Sequence, residues 1–369
     1  MLLAIRFTGD RDQLITGRPG SGKTTVTMLR AMRFYKTKRL LVLTKHKMLV
    51  YTLQKLYPQI NIYGIDEWFR EKTGANLWQI TSAAEIRRLL TEKGLYAEDQ
   101  LYDEVLIDEG QDLGSHIYES FPALGRQLLV GADDAQRFYT GGADADTIEQ
   151  ILIDQGRSVR PTDLQYNYRN FAATYTFARQ FVPEMAAAQS KHIVKHTKET
   201  GDLPRVIQVS DEFDRLITIL NDNSTSNVAI VLFRTRDVNH YRAELTKRGI
   251  ECSVYHNGLD GYTKSTTARD LKSVLITTYP SVKGLEFQVV ILPAIDRVQH
   301  EFHMTNSKFY VACTRATQRL YLLYQGADLP AYLAEPKVKK DTYQHTRLRD
   351  RMSPPPTMGT VLDNSDAPF

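Results

Sequence analysis

The run Gly17-Arg18-Pro19-Gly20-Ser21-Gly22-Lys23-Thr24 follows the pattern G-x-x-x-x-G-K-[ST] of a loop that wraps a phosphate. The spacing has a physical reason. Glycines let consecutive backbone N–H groups turn inward around an anion, and the helix that follows presents its positive end to the same point. Lys23 is placed to reach the β- and γ-phosphates, and the Thr24 hydroxyl to ligate Mg²⁺. Gly17, Gly20, Ser21, Gly22 and Thr25 complete the nucleotide-binding set. An apolar run, Gln13–Thr16, precedes the loop, and Lys23–Tyr35 carries helix-compatible apolar spacing after it. A glycine-rich turn matching by accident would have no reason to sit between a strand and a helix.

Outward from this loop, strand-like and helix-like runs alternate. Leu40–Thr44, Val105–Asp108 and Gln127–Gly131 read as buried strands, and Lys45–Leu56 and Ala83–Leu90 as helices. Such alternation predicts a parallel sheet covered on both faces. The pattern restarts near residue 157. Val206–Val209, Val228–Phe233, Cys252–Tyr255, Val274–Thr278, Val289–Pro293 and Leu320–Tyr324 are further strands, with Arg236–Lys247 a helix among them. The 369 residues suit two domains of roughly 150–200 residues each. The expected division is 1–156, with a small helical insertion at about 70–103, then 157–330. Residues 331–369 hold Lys337-Val338-Lys339-Lys340 and Pro354-Pro355-Pro356 among few apolar residues, and are expected to be a flexible tail.

Composition narrows the function classes. Lys and Arg number 47 against 43 Asp and Glu, a formal net charge of +4, which permits a nucleic-acid partner without requiring one. Cys252 and Cys313 are the two cysteines, too far apart for a metal-ligand spacing or a disulfide scaffold, and a reducing cytoplasm is the expected compartment. No apolar run is long enough for a membrane span, and no membrane association is expected.

A phosphate loop needs a metal-holding partner. Val105-Leu106-Ile107-Asp108-Glu109 is an apolar strand ending in two carboxylates. Asp108 suits Mg²⁺, and Glu109 suits the general base that orients and deprotonates an attacking water. Loop and strand end together point to nucleoside triphosphate hydrolysis.

The remaining motifs carry a family resemblance. Asp108-Glu109-Gly110-Gln111-Asp112 resembles the D-E-x-Q-D element of superfamily 1 helicases, and Leu41-Val42-Leu43-Thr44-Lys45 resembles their motif Ia. Gly131-Ala132-Asp133-Asp134-Ala135-Gln136 is similar to motif III, Tyr166-Asn167-Tyr168-Arg169 to motif IV, Thr278–Phe287 to motif V, and Tyr310-Val311-Ala312-Cys313-Thr314-Arg315-Ala316 to motif VI. Their order along residues 17–316 is that of the UvrD/Rep/PcrA-like group. The resemblance implies two RecA-like α/β domains with parallel sheets and an ATP cleft between them. It further implies that Gln136 senses the γ-phosphate and that Arg169 and Arg315 act as arginine fingers. Tyr168 would stack on adenine and Glu286 bond the ribose. Thr44, Lys45, His46 and Lys283 are implied as contacts to single-stranded nucleic acid, DNA in preference to RNA. Trp68 and Phe69 fall where the family has motif Ib, and base stacking and core packing both fit them.

The chain also departs from that family. Larger relatives carry accessory domains in two places; here only residues 45–107 and 256–273 are available. The adenine-reading glutamine upstream of the loop has no counterpart, Gln13 lying too close. After Gln136 the chain runs Arg137-Phe138-Tyr139-Thr140-Gly141-Gly142-Ala143, without the aromatic-Arg pair of the family, and Pro280 replaces a motif V histidine. These departures leave three readings. One is a compact ATP-dependent helicase or single-strand translocase; another is a nucleic-acid-sensing ATPase switch acting on a partner such as a nuclease. The third, a small-molecule kinase, is disfavoured by the motifs through Arg315. Reduced accessory domains suggest a protein partner, by analogy with two-component host-defence or repair systems.

Overall fold

The computed structural model describes residues 1–136, 141–182, 195–196, 198, 201–297 and 306–348. Six parallel strands form the first sheet: β1 (Asp12–Gly17), β2 (Leu40–Thr44), β3 (Ile62–Gly64), β4 (Tyr102–Asp108), β5 (Gly125–Ala132) and β6 (Val159–Leu164), in the order β3-β2-β4-β5-β1-β6. A short pair, β7 (Tyr166–Asn167) and β8 (Lys195–His196), follows. The second sheet has seven parallel strands: β9 (Arg205–Gln208), β10 (Val228–Leu232), β11 (Ser253–Tyr255), β12 (Val274–Thr278), β13 (Phe287–Leu292), β14 (Ala316–Tyr324) and β15 (Gln344–Thr346). Their order is β11-β12-β10-β13-β14-β9-β15. Every residue of β2, β10 and β12 is buried, because a central parallel strand is covered by helices on both faces and so reads as continuous Val, Leu and Ile. Among the described residues no helix is long and apolar enough to cross a membrane.

Two expected boundaries shift. β6 lies beyond residue 156, yet it pairs with β1 from Asp12↔Val159 to Gly17↔Leu164, so the first sheet continues to Leu164. Its sequence, Val159-Arg160-Pro161-Thr162-Asp163-Leu164, is polar because it is an edge strand, the one place in a sheet that tolerates proline. The expected tail after residue 330 is also corrected. A helical turn at Ala331–Ala334 buries Leu333, Val338 and Tyr343 are buried, and β15 adds a parallel edge to β9. Lys339 and Lys340 stay exposed. Pro354–Pro356 lie outside the described residues.

Between β3 and β4 the chain forms the helix Ile65–Thr73, a short turn at Leu77–Gln79 and the helix Ala83–Glu92. Between β11 and β12 there is only the helix Gly261–Arg269. In the first sheet β1 and β4 end at Gly17 and Asp108, at the C-terminal edge where open α/β sheets bind ligands, whereas Glu286 and Arg315 of the second unit immediately precede β13 and β14.

Candidate phosphate cleft and interunit groove

β1 ends at Gly17 and the helix Lys23–Phe34 begins after a loop in which Gly20 and Gly22 have φ of 76° and 94°. Only glycine adopts this left-handed backbone cheaply. Space forbids a side chain as well: a Cβ on Gly20 would stand 2.5 Å from the Asn167 Oδ1 and 2.6 Å from the Arg169 Cβ. The backbone N–H of Tyr168 donates to the Gly20 carbonyl at 2.8 Å. The phosphate loop therefore touches the N-Y-R segment directly. Lys23 is buried, its ammonium donating to the carbonyls of Gly17 at 2.6 Å and Arg18 at 3.3 Å and lying 3.4 Å from the Asp133 carboxylate.

At the end of β4, the Thr24 hydroxyl donates to Asp108 Oδ2 at 2.7 Å, so both oxygens point to one spot. Asp108 Oδ1 and the Ser21 hydroxyl are buried without a hydrogen-bond partner among the described residues, an arrangement that is costly unless a ligand completes it. Burial, followed by the charge of Glu109, pushes the Asp108 carboxyl up from its ordinary range. Burial acts on Glu109 in the same direction, but Lys283, Lys23 and His46 outweigh it and hold that carboxylate low. Glu109 has a φ of 55°, a left-handed backbone uncommon for a side-chain-bearing residue. This bend turns it off the strand line, where its Oε2 accepts from Gln111 Nε2 at 2.6 Å.

Groups from the second sheet close over these. Arg315, fully buried after the helix Asn306–Cys313, donates through Nη2 to Gln136 Oε1 at 2.6 Å, and Gln136 in turn donates to Asp133 Oδ2 at 2.6 Å. Burial and the nearby Arg169 charge pull Arg315 down, against Glu109, Glu286 and Asp133; a guanidinium stays charged in any case. Arg169 bonds Glu286 Oε1 through Nε at 2.7 Å and Nη2 at 2.6 Å. Asn170 secures the segment by donating to the carbonyls of Thr314 at 3.0 Å and Ala316 at 2.6 Å. The resulting cleft, about 410 Å³, is lined by Gly20, Gly22, Lys23, Thr24, Thr25, Glu109, Gln136, Tyr168, Arg169 and Glu286, with Met1 at its side. Tyr168 is exposed at the mouth, 6.1 Å from the Tyr166 ring. A smaller cavity of about 160 Å³ adjoins it, bounded by both tyrosines, Met1 and Leu164.

A second concavity of about 390 Å³ crosses the same interface. Lys45, His46, Lys47 and Trp78 line it from the first unit, and Asn257, Lys264 and Ser281 from the second. The Lys45 ammonium lies 4.6 Å over the Trp78 ring, a cation–π distance, and donates to the Asp112 carbonyl at 2.9 Å. Burial lowers the Lys45 pKa to about 8, with Asp112 opposing and Lys283 assisting the shift.

Residues 273–323 match the model of the UvrD-like helicase C-terminal domain, a span that holds Lys283, Glu286 and Arg315. A stretch of 60 residues is 40% identical to the RecBCD enzyme subunit RecB of Chlamydia pneumoniae, covering 16% of this chain and 6% of RecB. The second unit is thus similar to the C-terminal domain of UvrD-like helicases, and the chain spans only a small part of the RecB it matches. The chain's two-sheet architecture is similar to that of S. cerevisiae Dbp5 bound to RNA and ADP BeF3, at 14% identity over 94% of this chain and 88% of Dbp5, with a TM-score of 0.56. A single-residue variant of Dbp5 with the same ligands gives 13% identity and a TM-score of 0.55 over the same shares. These likenesses establish two RecA-like α/β units with parallel sheets.

The residues expected around phosphate meet in one cleft, whereas those expected around nucleic acid scatter. Lys45 and His46 face the groove. Thr44 is 1% exposed, tucked at the end of β2. Trp68 and Phe69 are both 0% exposed and pack on Phe121, with centroids 5.7 and 6.2 Å away, so they are core residues and not stacking platforms. Lys283 is 1% exposed and bonded to Asp112 and the Gln136 carbonyl, so it pins the two units together and does not offer its charge to the groove. Gln13 is buried, its amide bonding the Ala4 carbonyl and Arg30 away from the cleft. The exposed aromatic of the groove is Trp78, which belongs to no motif. Leu77 beside it is fully buried, and the Asn76 side chain caps the turn by accepting from the Trp78 N–H at 3.1 Å. The segment Arg137–Thr140, where the family's aromatic-Arg pair is missing, lies outside the described residues.

Proposed function

We propose that the chain is an ATP-dependent helicase or translocase on single-stranded nucleic acid, DNA in preference to RNA, that hydrolyses ATP in the cleft between its two units. The supporting observation is the convergence of Lys23, Thr24, Asp108 and Glu109 from one sheet with Arg169, Glu286 and Arg315 from the other. The triphosphate lies along the loop, with adenine against Tyr168 and the ribose near Glu286, which is freed when the phosphates take over Arg169. The paired Thr24 and Asp108 oxygens and the orphaned Asp108 Oδ1 fit Mg²⁺, which protein sites hold through one or two carboxylates with phosphates completing the shell. Held there by Thr24 and Asp108, Mg²⁺ would supply positive charge to offset that of the phosphates. Glu109 orients the attacking water and takes its proton, while Arg315 and Arg169 stabilise charge on the transferring group. Because these groups span two units, loss of the γ-phosphate removes what holds the units closed, and each turnover moves one unit against the other.

The single strand runs through the groove, with Lys45 and His46 on its phosphates and Trp78 stacked on a base. Between β11 and β12 the helix Gly261–Arg269 leaves no room for an accessory domain. The relative RecB is itself named as a subunit of an enzyme. Both observations favour a protein partner for this chain and keep a second reading open, an ATPase switch that regulates a partner nuclease without unwinding. Displacement of streptavidin from a biotinylated single strand separates the two. A translocase strips it in the presence of ATP and Mg²⁺; ATP hydrolysis without displacement would leave the switch.

A further inference from the structure

Asp112 stands where the groove and the cleft meet. Its Oδ2 accepts from His46 Nε2 at 2.8 Å and from Lys283 Nζ at 2.5 Å. The Lys283 ammonium also lies 3.7 Å from Glu109 Oε2 and donates to the Gln136 carbonyl at 2.6 Å. The side chains of Asp112 and Lys283 are 0% exposed, while His46 is 12% exposed and faces the groove. Two side chains, Asp112 and Lys283, therefore connect His46 at the groove wall to Glu109 in the cleft. A carboxylate only accepts, so Nε2 of His46 carries the donated proton.

A simple buried ion pair would fasten the units with one acid and one base. Here a single oxygen serves two donors and a single ammonium faces two carboxylates. Inside a protein such shared partners are strongly coupled, because a change at one bond redistributes the others. Glu109 Oε2 is held both by the Lys283 charge at 3.7 Å and by the hydrogen bond from Gln111 Nε2 at 2.6 Å, and a carboxylate held twice is poorly free to reorient onto a water.

We propose that His46 is a positioning residue that couples the groove to hydrolysis. A backbone phosphate in the groove takes the His46 hydrogen bond from Asp112; the shared Asp112 oxygen then turns fully to Lys283 and draws it from Glu109. Held then by Gln111 alone, the carboxylate turns its other oxygen to the attacking water. The coupling rests on the reading of the cleft as an ATP site and the groove as a polynucleotide site. It adds the route by which one signals the other, and it runs through groups that touch neither ligand's reacting atoms.

The two halves of the relay respond to mutation with opposite signs. His46→Ala mimics the phosphate-bound state, so basal ATP turnover should rise about fivefold or more, and the ratio of turnover at saturating oligo(dT) to basal turnover should shrink by the same factor. His46→Gln keeps an N–H near the end of the side chain and should recover much of the wild-type ratio. Asp112→Asn loosens the hold on Lys283, which settles on Glu109, so basal turnover should fall and stimulation should be lost. Working at saturating oligo(dT) removes any change in affinity from the ratio. An unchanged or lower basal rate in His46→Ala, beside a wild type that oligo(dT) stimulates, overturns the coupling alone. A wild type that hydrolyses no ATP, or that oligo(dT) does not stimulate, overturns the proposed function and this relay with it.

Discussion

In the phosphate cleft, the chemistry-bearing groups are set by backbone: a loop bent through Gly20 and Gly22, a strand ending at Asp108, and an N-Y-R segment resting on that loop. In the groove, across the same interface, the groups are set by which way a side chain happens to pack. Trp68 points into the core and Trp78 out of it, although both belong to the helical insertion between β3 and β4. The contrast teaches that a site made from backbone turns survives in sequence as spacing, whereas one made from surface side chains is decided by tertiary packing.

Arg315→Ala gives the largest expected effect, because it tests whether the second unit completes the cleft. Loss of an arginine finger is worth about 10³-fold or more in turnover, while ATP affinity should stay within about an order of magnitude. Wild-type turnover would break the cleft half of the comparison. Next comes Glu109→Gln, expected to slow hydrolysis about 10²-fold or more with nucleotide binding intact by fluorescent-analogue titration. Equal rates in mutant and wild type would remove Glu109 from its role.

The two tryptophans sharpen the contrast directly. Trp68→Ala should cost about 3–5 kcal/mol of stability, since it empties a fully packed core position. Trp78→Ala should leave the melting temperature nearly unchanged and weaken single-strand binding by about 1–3 kcal/mol, one stacked base. Binding measured by fluorescence anisotropy alongside thermal melts would expose an exchange of these two outcomes.

The smallest effect concerns Lys45. Its pKa near 8 means that it is charged below that pH and neutral above it. Raising the pH from 7 to 9 should therefore weaken oligo(dT) binding. It should also flatten the salt dependence by about 0.7 of a unit, the contribution of one phosphate contact on a single strand. An identical slope at both pH values would take Lys45 off the backbone.

How much was legible follows the same division. β2 and β12 coincide with the expected Leu40–Thr44 and Val274–Thr278 because buried parallel strands are unbroken apolar runs. β6 and β15 escaped notice because edge strands are short and polar, with Pro161 in one and Gln344-His345-Thr346 forming the other. In the cleft, Lys23, Thr24, Asp108, Glu109, Gln136, Arg169 and Arg315 follow from ordered motifs. Lys283 was legible as important but not as buried, since a lysine in a loop reads as solvated until Asp112 and Glu109 are seen beside it. Trp78 carried no signal of its own, since beside Leu77 and Ile80 it reads as one more apolar residue of the insertion, and only packing shows that Leu77 is buried and Trp78 exposed.

The central claim is that the cleft hydrolyses ATP and that occupancy of the groove sets the rate. Steady-state phosphate release from the purified chain with saturating ATP and Mg²⁺ tests it most directly, with and without single-stranded oligo(dT) at low salt. The account predicts a rate at least about fivefold higher with oligo(dT), with the stimulation fading steeply as salt is added. The same rate with and without the strand, across that salt range, would contradict it.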